Sequence, residues 1–312
     1  MEVKEILEEL VQIKQETYRG KARNIQIGEH KSPLQGAGYD LLDITKWRPG
    51  DSIDDIDWRL SLLTWPKKIY KLEHPEFKSA PVILVADISP SVFVEIDQVA
   101  NKFRLLLHLA GALEFAANYF HDPVGILCVS DDIEFYLPPK FGSGQIFYAI
   151  KLIVEKAKEF ETLKEKNRFV RRKSNLNAAL EFLAARLKRQ CSVVILSDFI
   201  DVISGESEIN HQMLEFLSAK HSWNVIAVFL DDPNELSWRG SKGLVLVRNI
   251  ETGVTHTIKA EQAVNIRRAF LDKTDELRKT LTKSGVDSVV LNFGDHFNNL
   301  AQFLSQRRQI HR

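Results

Sequence analysis

Short apolar segments alternate with amphipathic segments along the chain from about residue 80 onward. The runs VILVADIS and CSVVILSDF are too short for helices and apolar almost throughout, which is typical of strands buried on both faces. Between them, segments such as NKFRLLLHLAGALEFAANYF carry apolar residues at helical spacing. The alternation predicts an α/β fold with a doubly wound, mostly parallel sheet covered by helices on both faces.

The first part of the chain has a different pattern. Residues 2 to 17 have the apolar spacing of an amphipathic helix, and residues 19 to 79 are rich in Gly, Pro, Trp and mixed charge, which predicts an irregular, partly β extension. We therefore predict two parts, residues 1–79 and residues 80–312. The segment LVLVRNIETGVTHTIKA predicts a β-hairpin insertion near residues 240–260 of the second part.

Composition and charge narrow the class of protein. With 312 residues and 44% hydrophobic content the chain can bury a large core, and its 42 basic and 42 acidic residues cancel. No overall field favours nucleic acid, so we expect no nucleic-acid partner. The N-terminus lacks the pattern of a secretory signal, and no apolar run approaches the ~18 residues of a membrane span. We expect a cytoplasmic protein with two buried, structural cysteines.

Candidate metal ligands follow two of the predicted strands. Asp87, Ser89 and Ser91 end the first strand, and Asp198 ends CSVVILSDF, so parallel pairing brings both ends to one edge of the sheet, where such folds bind ligands. Ser174, in the loop before a helical segment, can face the same edge. Carboxylates and hydroxyls suit Mg²⁺ or Mn²⁺. The serines could instead be helix caps, and Asp87 could simply end its strand in a turn.

These residues carry a family resemblance. Asp87, Ser89, Ser91, Ser174 and Asp198 resemble the metal-ion-dependent adhesion site of von Willebrand factor A domains, whose pattern is Asp-x-Ser-x-Ser, then Thr, then Asp. The upstream segment is similar to the hallmark of the bacterial domain-of-unknown-function family 58, with its matching residues at Pro49-Gly50-Asp51, Ile56-Asp57-Trp58 and Glu73. The resemblance implies a von Willebrand factor A-like domain and a MoxR-type AAA+ ATPase as partner.

Two functional hypotheses follow. The first is a non-enzymatic adaptor in which a carboxylate of the ATPase or of a client protein completes the metal sphere, in assembly or metal insertion of clients. The alternative is a Mg²⁺-dependent phosphohydrolase that uses Asp87 as nucleophile or ligand. The sequence contains no His-Glu-x-x-His motif, phosphate-binding loop or nucleophile elbow, so we favour the adaptor and expect no catalytic residues.

Overall fold

The structure is a computed structural model, and it divides the chain into two compact units, residues 1–28 with 81–312 and residues 29–80. The part of the chain that it describes comprises residues 3–17, 31–36, 43–49, 56–64, 68–77, 81–94, 101–142, 144–165, 174–187, 190–221, 223–235, 243–248 and 255–310.

Helices and strands alternate through the larger unit, as the sequence predicts. The described helices are α1 (Val3–Glu16), α2 (Trp58–Thr64), α3 (Asn101–Tyr119), α4 (Gly144–Glu165), α5 (Leu176–Arg186), α6 (Ile200–Ser204), α7 (His211–His221), α8 (Ala260–Lys283) and α9 (His296–Ile310). The described strands are β1 (Lys31–Gly36), β2 (Asp43–Lys46), β3 (Tyr70–Phe77), β4 (Val82–Asp87), β5 (Val124–Val129), β6 (Ile133–Lys140), β7 (Ser192–Ser197), β8 (Asn224–Asp231), β9 (Leu244–Arg248), β10 (Thr255–Lys259) and β11 (Asp287–Asn292).

Six strands of the larger unit form one sheet in the order β11-β8-β7-β4-β5-β6. All neighbouring pairs are parallel except β5 and β6, which are antiparallel. The predicted mixed α/β class with a mostly parallel sheet is thus confirmed. The chain leaves β4 toward β5 and β6 and later returns to β7 on the other side, so the strand order reverses between β4 and β7.

The core lies on both faces of this sheet because successive strand residues point to opposite faces. On β4, Leu84 and Ala86 pack in a cluster with apolar residues of α1, α3, α4 and α9. Ile83 and Val85 pack in a second cluster with residues of α5, α7 and α8. Since all six residues of β4 are buried, the strand reads as a continuous apolar run in the sequence.

The first helix belongs to the larger unit. Leu10 of α1 is fully buried in the same cluster as α3, whereas the sequence pattern groups this helix with the residues up to 79. At the other end of the unit, β9 and β10 pair as an antiparallel two-stranded sheet at the position of the predicted hairpin.

The smaller unit holds the hallmark segment. It contains a three-stranded antiparallel sheet in the order β1-β3-β2. Asp57 accepts a hydrogen bond from the backbone N–H of Leu60, so this hallmark residue caps the start of α2. Gly50 and Asp51 of the hallmark lie outside the described residues.

None of the described helices is both long enough and apolar enough to cross a membrane.

Candidate functional site

The predicted site lies where the strand order reverses. Asp87 is the last residue of β4, and Asp198 directly follows β7, the parallel neighbour of β4. The carboxyl ends of parallel strands at a reversal form a crevice, because the chain leaves the two strands in opposite directions. Both side chains are buried.

Asp87 is held by three hydrogen bonds from three separate stretches of chain. The hydroxyl of Ser174 donates to its Oδ2 at 2.7 Å, and the hydroxyl of Ser197 donates to the same oxygen at 2.6 Å. The backbone N–H of Ser89 donates to Oδ1 at 2.9 Å. The carboxylate is therefore fixed in orientation before any ligand arrives.

Ser89 and Ser91 flank the start of a 3-10 helix, Pro90–Phe93. Their hydroxyl oxygens are 3.0 Å apart, and both side chains are buried. Ser89 occupies the cap position, but its side chain makes no capping hydrogen bond. The helix-cap interpretation of Ser89 is therefore wrong, and its hydroxyl faces Ser91 instead.

Ser174 is not a helix cap either. The N-cap of α5 is Asn175, whose side chain accepts a hydrogen bond from the backbone N–H of Ala178 at 3.1 Å. Because Asn175 takes that role, the Ser174 hydroxyl is available for Asp87. The backbone N–H of Ser174 donates to the carboxylate of Asp201 in α6, which ties this loop to the segment after β7.

Asp198 has a cationic partner that the sequence analysis did not identify. The ammonium of Lys102, in the first turn of α3, lies 2.8 Å from Asp198 Oδ2 and 2.8 Å from Glu235 Oε2. Lys102 is only 1% exposed. Phe199, the residue after Asp198, has a left-handed backbone with φ 52°. This conformation is uncommon outside glycine and marks a constrained turn beside the site.

The electrostatics of the site favour added positive charge. Burial, reinforced by the charge of Asp198, raises the pKa of Asp87 to about 6 despite its three hydrogen bonds. Burial also raises the pKa of Glu235, although Lys102 opposes that shift. Burial alone would lower the pKa of Lys102, but Asp198 and Glu235 outweigh it and raise the pKa. Two carboxyl groups, Asp198 and Glu235, thus share one ammonium, and Asp87 has no cationic partner among the contacts of the described residues.

The donor set fits a hard divalent cation. Asp87 and the Ser174 hydroxyl are oxygen donors in contact, and the paired hydroxyls of Ser89 and Ser91 follow Asp87 within four residues; a cation there would favour the ionised form of Asp87. Asp198 differs from these donors, because one of its carboxylate oxygens already accepts a hydrogen bond from Lys102. Within the described ranges no group of three or more His, Cys, Asp or Glu residues could hold a metal ion, so the hydroxyls are essential to any site here.

Sequence reasoning missed Ser197, Lys102 and Glu235. Ser197 stands one residue before Asp198 at a strand end, and that position was the available signal. Lys102 follows Asn101 at the beginning of an apolar helical segment, where a lysine is usually solvated, and Glu235 lies in a turn after β8. Neither has a local pattern that distinguishes it from a surface charge.

Two solved structures match this chain at low similarity. They are the conserved hypothetical protein BatB from Bacteroides thetaiotaomicron (14% identity, TM-score 0.37, 74% of this chain and 99% of that chain) and an uncharacterized membrane spanning protein from Vibrio fischeri (14% identity, TM-score 0.18, 73% and 98%). Scores this low do not establish a shared fold.

Sequence relatives cover nearly the whole chain. Uncharacterized protein Mb1516 of Mycobacterium bovis and uncharacterized protein Rv1480 of Mycobacterium tuberculosis are each 21% identical over 305 residues, which is 94% of this chain and 87% of theirs. The family model described as "Protein of unknown function DUF58" matches residues 43–302, a span that includes the hallmark segment and every residue of the candidate site. The chain therefore belongs to the DUF58 family.

Proposed function

We propose that this protein is a non-enzymatic, metal-dependent adaptor with a von Willebrand factor A-like domain. In this proposal Asp87, Ser89, Ser91 and Ser174 hold Mg²⁺ or Mn²⁺, and Asp198 supports the ion from beside them. The supporting observation is that these buried side chains meet at the reversal of strand order from two separate stretches of chain, residues 87–91 and the loop at Ser174, with Asp198 on a third.

Such a donor set is suited to recognition. Mg²⁺ takes six oxygens and rarely obtains all of them from one protein, so a carboxylate of a partner can complete the sphere. The carboxylate of Asp87 is already oriented by its own hydrogen bonds, which reduces the conformational ordering needed when the ion binds. Removing the ion breaks the contact with the partner's carboxylate, so the availability of the metal switches the interaction on and off.

The proposed partner is a MoxR-type AAA+ ATPase, a client protein, or both. This part of the proposal rests on the resemblance of the chain to proteins associated with such ATPases, and it assigns the adaptor a role in assembly of clients or insertion of their metals. The Asp or Glu that reaches the ion would belong to the ATPase or the client.

Thermal unfolding with chelator, Mg²⁺ or Mn²⁺ tests the metal site directly. A ligand present at about a hundred times its Kd stabilises the folded state by about 2.7 kcal/mol, which is a rise of roughly 4 °C in Tm for a chain of this size. We expect that rise in the wild type and its loss in Asp87→Asn and Ser89→Ala. Asp272→Asn, an exposed acid on α8, is the matched control. If millimolar metal changes the Tm neither of the wild type nor of Lys102→Met, which lacks the buried cation beside Asp198, the site is contradicted.

Binding to a purified MoxR-type ATPase from the same organism tests the partner. We expect binding in Mg²⁺ that chelator abolishes and that Asp87→Asn weakens. A panel of phosphate esters separates the adaptor from the phosphohydrolase, since turnover that disappears in Asp87→Asn would favour the enzyme.

A further inference from the structure

Lys102 is an unusual residue for its position. Lysine is rarely buried completely unless it is paired, and the first turn of a helix is its least favourable end, because the helix dipole there is positive. Lys102 is nevertheless 1% exposed in the first turn of α3. Its ammonium contacts the carboxylates of Asp198 and Glu235, which follow two neighbouring strands, β7 and β8.

The contact with Asp198 competes with a metal ion in two ways. Asp198 Oδ2 accepts from Lys102 at 2.8 Å, so this oxygen must leave a buried partner before it can turn toward a cation. The ammonium also offsets the negative charge of Asp198, which acts on Asp87, and so it opposes a divalent cation held beside Asp87. The charge coupling between Asp87 and Asp198 shows that the two carboxyl groups lie within electrostatic reach of each other.

We infer that Lys102 is an internal counter-ion that lowers the affinity of the site for a divalent cation, so that the ion is held firmly only with a partner's carboxylate. The inference rests on the proposed metal site and adds its regulation. The added negative charge of a partner offsets the repulsion from Lys102. Glu235 keeps the ammonium paired when Asp198 turns toward the ion.

Direct measurement of Mn²⁺ affinity tests this inference. The Kd is obtained from the electron paramagnetic resonance signal of free Mn²⁺ in titrations of wild type and Lys102→Met, a neutral side chain of similar length. We expect the Kd of Lys102→Met to fall about ten-fold, because one unit of repulsive charge is removed close to a divalent ion. Arg307→Met removes a half-buried cation at the amino ends of β8 and β11, the opposite edge of the sheet, and should leave the Kd unchanged.

A second pair of variants covers the case in which Lys102→Met does not fold. The double variant Lys102→Met with Glu235→Gln removes one positive and one negative charge together, and its reference is Glu235→Gln alone. We expect a fall of about ten-fold or more within this pair, since in Glu235→Gln the ammonium has no second carboxylate to pair with when Asp198 turns toward the ion.

The outcomes separate the two proposals. Tighter binding without Lys102, dependent on Asp87, supports the inference. If the wild type binds Mn²⁺ and the Kd of Lys102→Met is unchanged or higher, the inference is overturned and the metal site is left intact. No Asp87-dependent binding in any variant overturns the metal site, and the inference with it.

Discussion

Replacing Glu114 by glutamine should stabilise this protein at neutral pH. Glu114 lies on α3 with its side chain fully buried. Its Oε1 accepts a hydrogen bond from the backbone N–H of Ile146, in the first turn of α4, at 3.2 Å. Its Oε2 has no hydrogen-bond partner among the described residues. Burial raises the pKa of this carboxyl group to about 8, so the folded protein keeps it protonated at neutral pH.

The sign and size of the effect follow from linkage. Because the folded pKa is raised, stability is complete below the usual value of 4.5 and is lost as the pH rises toward about 8. At about 1.4 kcal/mol per pKa unit, the whole shift corresponds to about 5 kcal/mol, and the part lost by pH 7 to about 3 kcal/mol. Glutamine fills the same volume, can accept the same backbone hydrogen bond through its carbonyl, and does not ionise.

Urea unfolding from about pH 5 to about pH 9 measures the difference between Glu114→Gln and wild type. Near pH 5 we expect the free energies of unfolding of the variant and the wild type to differ by a small amount. By pH 7 this difference should have grown by about 3 kcal/mol in favour of the variant. Glu155→Gln, on α4 with an exposed side chain, controls for the change of charge. If the stability curves of Glu114→Gln and wild type ran parallel across this range, the assignment of a buried, protonated carboxyl group would be refuted.

Three further predictions address packing, the site and the thiols. Gly111→Ala places a Cβ atom 2.6 Å from Leu10 Cδ2, so we expect a loss of about 1–3 kcal/mol in urea unfolding, relieved when Leu10→Ala is added; simple additivity of the two losses would contradict this contact. Ser197→Ala removes the buried hydrogen bond to Asp87 and the one that the hydroxyl accepts from the backbone N–H of Phe199, and we expect a loss of about 1–2 kcal/mol, whereas an unchanged midpoint would show that the two bonds together add nothing. The two cysteines are buried, and burial raises the pKa of both thiols, so a thiol reagent should label them only after unfolding; rapid labelling of the native protein would disprove their burial.

Local sequence patterns were sufficient to predict most helices and strands of the larger unit. The runs VILVADIS and CSVVILSDF form β4 and β7, and the segments VGILCVS and IEFYLPP form the antiparallel pair β5 and β6. Each signal lies within one short segment, since burial on both faces leaves polar residues only at the ends of the central strands β4 and β7. The order of the strands has no such local signal, because it depends on which distant segments pair.

The grouping of α1 illustrates what a local pattern omits. Its apolar spacing predicts a helix with one buried face, and Leu10 is indeed buried. The spacing does not reveal the surface on which that face packs. That surface belongs to α3, where the side chain of Leu10 lies over Gly111, 101 residues further along the chain, and this glycine leaves room for it. The sequence shows that these two residues are a leucine and a glycine, but it does not show that they are in contact.

The candidate site depends on the same long-range pairing, and this dependence has a physical consequence. The two hydroxyls that bind Asp87 lie 87 and 110 residues further along the chain, and the ammonium beside Asp198 lies 96 residues before it. No single loop contains the site, so it can exist only after β4 and β7 have paired and α3 has packed. Local pattern was sufficient to predict the three parts of the metal hypothesis, because each is a polar residue at the end of a predicted strand or just before a predicted helix. It could not supply Lys102, whose role is set entirely by the two acidic side chains that the folded sheet places around it.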